Sequence, residues 1–308
     1  MLAAAAGTFP EIIMPEGSAL IPLTGLGTSP LRDRVCVDTV KQALRLGYRH
    51  IDTAEGYENE RDVGEGLRAS GVQREHIFVT TKISPSHFAP RDLERAAKDS
   101  LMRLRLSEID LLLLHWPNPQ VPLSETLEAL CEVKRAGLTR HIGVSNFEIA
   151  DIKEAVRHAS EPLVCNQIEM NSFVDRPKLT AACRAHHMAV VAYCPIARGE
   201  ASNDAVLKRI GHTYGKSGAQ VSLRWLVQQG ISVIPRTSRI WRLSENYSIF
   251  DFELSEAEMS EISSIARRRS RLATLMSPMR AFALKTLPAP ATSVLRIGYR
   301  MLRRVVCG

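Results

Sequence analysis

Eight short apolar runs, each parted from the next by a longer stretch, most of them of helical period, govern what this 308-residue chain can fold into. The runs lie at 23–27, 50–53, 77–81, 109–114, 141–144, 163–168, 189–193 and 231–234. Helices are predicted between them at 34–46, 59–70, 90–104, 124–136, 148–158, 177–187 and 219–229. In the stretch 90–104, Leu93, Ala96, Ala97, Leu101 and Leu104 recur at intervals that put them on one helical face. Pro90, and Ser124 ahead of Leu127, read as helix starts. Strands joined through helices pair in parallel and are covered on both faces. An open doubly wound sheet usually carries a glycine-rich dinucleotide loop after its first strand. Here the first run continues as Gly25-Leu26-Gly27-Thr28-Ser29-Pro30, without a third glycine or an immediate helix. A single closed (β/α)8 barrel of the α/β class is therefore expected over 19–266, with 1–18 as a lead-in and 267–308 as a C-terminal extension.

Charge separates the extension from the body. Ten of the 40 basic residues and none of the 33 acidic ones lie in 267–308, so the first 266 residues hold 30 basic against 33 acidic, a net −3. No nucleic-acid partner is expected for the body. In the extension, Arg267-Arg268-Arg269-Ser270-Arg271 opens a basic segment. Over 292–306, Val294, Leu295, Ile297, Leu302 and Val305 alternate with Arg296, Arg300, Arg303 and Arg304, a pattern that fits either a poorly ordered extension partly packed on the barrel or weak contact with an anionic membrane surface. Residues 1–17 open with alanines that no Lys or Arg precedes, and Pro10, Glu11 and Pro15 break the apolar stretch, so it does not read as a signal peptide. The longest apolar run, 109–116, is too short to span a bilayer. The six cysteines are scattered without a C-x-x-C pair, as reduced thiols in a cytoplasmic protein would be. His186 and His187 are adjacent and should fall on different faces of a helix as surface histidines; no metal is expected.

In such a barrel the functional residues gather at the C-terminal ends of the strands. One run ends Asp52-Thr53-Ala54 and leads into Glu55-Gly56-Tyr57; the next ends at Lys82 and the one after at His115-Trp116-Pro117. Ser145-Asn146, Asn166-Gln167, Tyr193 and Pro235-Arg236-Thr237 hold the same position in their runs. Each residue alone has an ordinary structural reading: a solvated Lys, a core His, a turn carboxylate. Packing requires none of them, and together they mark one site.

These residues sit in long motifs. Gly47-Tyr48-Arg49-His50-Ile51-Asp52-Thr53-Ala54-Glu55-Gly56-Tyr57-Glu58-Asn59-Glu60 resembles the signature of the aldo-keto reductases. So do Thr81-Lys82, 110–117, Gly143-Val144-Ser145-Asn146-Phe147, Asn166-Gln167-Ile168-Glu169 and 234–246, in order, over about residues 20–266. Within the family the chain is most similar to bacterial members like the 2,5-diketo-D-gluconate reductases.

The resemblance implies NADPH-dependent reduction of small aldehydes and ketones by a cytoplasmic monomer. A carbonyl that accepts hydride develops negative charge on oxygen, so a proton donor is needed there. Tyr57 matches the donor, Lys82 the ammonium expected to lower its pKa, Asp52 the partner that holds Lys82, and His115 the group that orients the carbonyl. Trp116 beside His115 is placed at the substrate. Tyr193 matches the ring that stacks on the nicotinamide; Ser145, Asn146 and Gln167 match its carboxamide contacts, and Thr28 and Asp52 lie near its ribose. Arg236, Thr237 and Arg242 match the 2′-phosphate contacts, and Glu245 and Asn246 face the adenine. Two positions depart from the common pattern: Arg236 stands where Lys is commoner, and Cys194 where Ser is frequent. The alternatives are a barrel that binds coenzyme but serves as a regulatory, partner-recognising subunit, and a phosphate-sugar isomerase or aldolase barrel, which would not need the 234–246 segment.

Overall fold

The run Ile109–Leu114 is buried at all of its positions, as a strand covered on both faces must be. In the computed structural model, which describes residues 11–13 and 20–267, a short antiparallel hairpin of β1 (Glu11–Ile13) and β2 (Leu20–Pro22) comes first. Eight parallel strands follow: β3 (Leu26–Gly27), β4 (His50–Asp52), β5 (Phe78–Ile83), β6 (Ile109–Leu114), β7 (Thr139–Ser145), β8 (Leu163–Glu169), β9 (Ala189–Tyr193) and β10 (Ser232–Val233). They pair in chain order from β3 to β10. The two ends then meet. Val233 N donates to Leu23 O at 2.9 Å, Gly25 N to Val233 O at 2.8 Å and Gly27 N to Pro235 O at 3.2 Å. The sheet is a closed (β/α)8 barrel, and the open doubly wound arrangement is excluded.

The two-residue alternation of the strands divides the core. Leu112 and Leu114 pack outward into the large cluster that the helices cover, whereas Leu111 and Leu113 turn into the lumen with Val191 and Ile234. Ile21 of β2 joins this inner cluster. The Ser232 hydroxyl donates to Pro22 O at 2.7 Å, which places the hairpin at the N-terminal end of the strands, opposite the expected site.

The covering helices are α1 (Asp33–Leu46), α2 (Glu60–Ser70), α3 (Pro90–Leu104), α4 (Leu123–Arg135), α5 (Ile149–His158), α6 (Pro177–Ala185), α7 (Ala205–Tyr214) and α8 (Gly218–Val227), with α9 (Ile240–Tyr247) beyond β10. All seven expected helices are present, their ends displaced by at most two residues. Pro90 starts α3 as predicted, at a position where a missing N–H costs nothing. Ser124 does not start α4: the helix begins one residue earlier, after Pro122, and the Ser124 side chain caps nothing. His186 and His187 lie past the end of α6 and not on two faces of a helix; His187 adopts φ 58°, which terminates the turn. Three helices lie outside the predicted set. α7 is bounded by Asp204, whose carboxylate accepts from Val206 N and Leu207 N, and by Gly215 in the left-handed region. α9 falls inside the segment read for coenzyme contacts. A further helical stretch runs over 256–267. The basic pattern at 292–306 lies outside the described residues. Among those described, no helix is long and apolar enough to cross a membrane, and no group of His, Cys, Asp and Glu could hold a metal ion.

Candidate active site

Asp52 ends β4 and pairs in register with Thr80 of β5, so Lys82 stands one residue pair further along the same barrel-facing row. The Lys82 ammonium lies 2.7 Å from Asp52 Oδ1, with side chains 0% and 2% exposed. It also donates to Thr53 O at 2.8 Å and to the Tyr57 hydroxyl at 3.3 Å, which occupies all three of its protons. Asp52 Oδ2 accepts from Gln167 Nε2 at 2.7 Å. A buried ion pair survives only when its remaining hydrogen-bonding capacity is met, and here it is. Tyr57 reaches the pair from a single tight helical turn, Glu55–Tyr57, which ends at Glu58 with φ 55°. Its ring meets the His115 ring edge-on, with centroids 5.6 Å apart and planes at 76°.

The electrostatics differ from the sequence expectation at one point. Burial pushes the Tyr57 phenol above its ordinary pKa, and the Lys82 ammonium recovers only part of that rise instead of lowering it overall. The phenol therefore keeps its proton at neutral pH. Burial also disfavours charge on Lys82, but Asp52 and Tyr57 together outweigh it and hold the ammonium above the usual lysine range. Burial, with the Lys82 charge beside it, lowers His115 to about 4. The imidazole is thus neutral where the phenol is protonated, so one carbonyl oxygen between them can take a hydrogen bond from His115 and a proton from Tyr57.

The His115 value is open to direct test. Titration of the ring C–H resonances by NMR should give an apparent pKa near 4, and a value at or above the ordinary 6.5 would contradict the geometry. The folded-state pKa lies below the unfolded one, so this group adds stability above pH 6.5 that is lost as the pH falls towards about 4.

The remaining strand-end residues form a continuous network with this centre. The Ser145 hydroxyl donates to Gln167 O at 2.9 Å and accepts from Asn146 Nδ2 at 3.0 Å. Asn146 Nδ2 also donates to His115 O at 2.9 Å, and Asn146 Oδ1 accepts from the Tyr193 hydroxyl at 2.8 Å. Thr28 is wholly buried and its hydroxyl donates to Asp52 O at 3.0 Å. Trp116 stands beside His115 and is 49% exposed, a large apolar face left to solvent at the mouth.

A second group lies where β10 ends. Arg236 follows the barrel closure directly: a Cβ on Gly27 would come within 3.9 Å of the Arg236 Cβ. The Arg236 and Arg239 side chains are exposed, and Arg242 lies with its guanidinium 5.0 Å from the Trp241 ring centre. Among the described residues none of the three arginines is in an ion pair. Thr237 is buried and its hydroxyl accepts from Arg239 N at 3.0 Å. Glu245 accepts from Ser217 Oγ at 2.6 Å, which ties α9 to the start of α8, and Asn246 is buried. A donor set of three guanidiniums that form no ion pair among the described residues, next to the charged centre through Gly27, fits the phosphate groups of a phosphorylated dinucleotide.

Several supporting residues were not singled out from the sequence. Asn59, buried, accepts from the Thr53 hydroxyl at 2.7 Å and donates to Thr28 O and Leu31 O, which joins the loops after β3 and β4. Glu60 accepts from the Thr81 hydroxyl at 2.6 Å and from Arg103 Nε at 2.6 Å. Both lie in the motif that follows Tyr57, and that position was their only signal. Asn171 Nδ2 donates to Cys194 O at 3.1 Å and so holds the residue after Tyr193, which adopts φ 49°.

Comparison with known proteins gives a consistent result. The aldo/keto reductase family matches residues 23–267. The methylglyoxal reductase DkgB of Yersinia pestis is 37% identical over 250 residues, which cover 80% of this chain and 94% of that protein. The methylglyoxal reductase DkgA of Escherichia coli K12 is 34% identical over 260 residues, 83% of this chain and 94% of that one. Among solved structures, an aldo-keto reductase of Bombyx mori in complex with NADP superposes with a TM-score of 0.78 at 34% identity, over 84% of this chain and 94% of that one.

Proposed function

Because this chain belongs to the aldo/keto reductase family, it is an NADP-dependent oxidoreductase that reduces carbonyl compounds, and we propose that Tyr57 delivers the proton in that reaction, backed by Lys82 and Asp52 and aimed by His115. The observation that carries the reading is the Lys82 ammonium bonded at once to Asp52 Oδ1 at 2.7 Å and to the Tyr57 hydroxyl at 3.3 Å. NADPH supplies the hydride when bound, which no side chain can do. The protein's own part is to position and to protonate. His115, neutral, donates its N–H to the carbonyl oxygen and fixes its direction. Tyr57 gives its proton to the same oxygen as negative charge develops there, and the adjacent ammonium stabilises the tyrosinate left behind. Lys82 stays charged and oriented because Asp52 holds it. Trp116 borders the substrate.

Tyr193 offers its ring to the nicotinamide, and Ser145, Asn146 and Gln167 the polar groups for its carboxamide. Thr28 and Asp52 adjoin the ribose. Arg236, Thr237 and Arg242 take the 2′-phosphate, and Glu245 and Asn246 the adenine. Relatives named methylglyoxal reductases point to short ketoaldehydes as the substrate class. The test is NADPH oxidation followed by absorbance with methylglyoxal and a panel of aldehydes, diketones and sugars. Turnover of none of them would defeat the proposal.

The preference for NADPH over NADH should rest on Arg236. Charge-assisted contacts to phosphate are worth on the order of 1.5–3 kcal/mol each, so NADPH should bind at least about tenfold more tightly. Arg236→Met should shrink that ratio in a fluorescence titration; an unchanged ratio would remove Arg236 from the phosphate site. The catalytic unit is taken as 19–266, with 267–308 outside it, working as a monomer on small molecules and without nucleic acid. The five described cysteines are all free thiols, which supports the cytoplasm as its compartment.

A further inference from the structure

The turn that presents Tyr57 is clasped from outside the ion pair. Glu55, two residues before Tyr57 in the same turn, sends its carboxylate across to the loop after β5: Oε2 accepts from Ser84 N at 2.9 Å, and Oε1 lies 2.7 Å from His87 Nδ1. The Glu55 side chain is 15% exposed and that of His87 39%. The turn also lies flush against this loop, since a Cβ on Gly56 would stand 3.4 Å from the Ser84 hydroxyl. Ser84 follows Lys82 by two residues, with Ile83 between them at the end of β5. The clasp therefore joins the segment that carries the phenol to the strand end that carries the ammonium, and its two bonds run beside the 3.3 Å contact between Tyr57 and Lys82. That contact is long for a hydrogen bond to a charged donor. The backbone of the turn does not reach the loop itself: Tyr57 N and Glu58 N bond within the turn, to Ala54 O and Glu55 O, and the backbone link to β5 lies before it, where Thr53 N donates to Thr80 O at 2.8 Å.

We propose that Glu55 is a positioning residue for the proton transfer, which sets the distance between the Tyr57 hydroxyl and the Lys82 ammonium by clasping Ser84 and His87. The proposal rests on the reading of Tyr57 as proton donor. Without the carboxylate the turn loses both side-chain bonds to the loop after β5, and beyond the bonds at Thr53 the phenol is held to β5 through its long contact with Lys82. The phenol then drifts from the ammonium, the tyrosinate is less well stabilised, and the proton is given up less readily. Coenzyme contacts at Ser145, Gln167 and Arg236 are on other strands and should not sense the change.

The test compares wild type with Glu55→Ala, Glu55→Gln, His87→Ala and Tyr57→Phe, using methylglyoxal and NADPH, with NADPH affinity followed by fluorescence. Displacement of a catalytic group by an ångström or less costs up to about a hundredfold, so kcat of Glu55→Ala should fall about tenfold or more, with NADPH affinity kept within about twofold. The basic limb of its kcat–pH profile should move relative to wild type, because the phenol has lost part of the ammonium's influence. Glu55→Gln keeps an acceptor for Ser84 N and should recover most of the rate. His87→Ala should fall between, at about threefold, and if Glu55→Ala does not fold, His87→Ala carries the test through the position of the same limb, with Glu55→Gln as the variant in which that limb stays near wild type. A Glu55→Ala enzyme with kcat within about twofold of wild type and an unmoved limb, beside an inactive Tyr57→Phe, would overturn the positioning role alone. An active Tyr57→Phe would instead overturn the assignment of the donor.

Discussion

Tyr57→Phe is expected to lower kcat for carbonyl reduction by roughly a thousandfold, since a placed general acid is worth about 10²–10⁴ in rate. The substitution removes one oxygen from a half-buried ring and nothing from the coenzyme contacts. NADPH affinity measured by fluorescence should therefore stay close to that of wild type. The size of the effect follows from the neighbours: His115 is neutral, with its pKa near 4, and Lys82 has its protons engaged by Asp52, Thr53 and Tyr57. Tyr57→Phe frees the Lys82 proton that the phenol accepts, but Asp52 helps hold that ammonium above the usual lysine range, so it is a poor substitute donor. A Tyr57→Phe enzyme that retained most of its kcat would remove Tyr57 from the chemistry.

Lys82→Met should be as damaging to the reaction and should weaken the fold as well. Breaking a buried pair by removing one partner typically costs about 3–5 kcal/mol, because the remaining charge is stranded. Here the stranded group would be Asp52, 2% exposed, with Gln167 Nε2 as its remaining side-chain partner. Urea denaturation should show a clearly lower midpoint. Adding Asp52→Asn removes the stranded charge, so the double variant should regain much of the lost stability while remaining inactive. If Lys82→Met alone denatured at the wild-type midpoint, the pair would not be buried as described.

The strand ends were legible because a closed barrel imposes a position: polar residues that packing does not need stand where each apolar run stops. Asp52, Lys82, His115, Ser145, Gln167 and Tyr193 could be collected by that rule, and the structure links them into one network. Closure itself was not legible from any local pattern. It depends on hydrogen bonds between 23–27 and 233–235, with more than two hundred residues between them. The sign of the Tyr57 shift was missed for a related reason. A neighbouring ammonium can be guessed from a motif, but its effect competes with burial, and burial belongs to the folded molecule. α9, eight residues long, is too short a window for a helical period to stand out, and its apolar residues do not share one face: Leu243 is buried, whereas Ile240 and Trp241 are 50% and 60% exposed. Glu55 and His87 are 32 positions apart and carry no signal of their pairing in sequence.

The proposed division of the reaction takes the hydride from the coenzyme and the proton from Tyr57. It is tested most directly with NADPH deuterated at the transferring position of the nicotinamide, methylglyoxal as substrate, and mass spectrometry of the product. Wild type should yield an alcohol that carries deuterium on the former carbonyl carbon, and Tyr57→Phe should yield almost none in the same time. An unlabelled alcohol from wild type, or labelled alcohol formed by Tyr57→Phe at the wild-type rate, would contradict it.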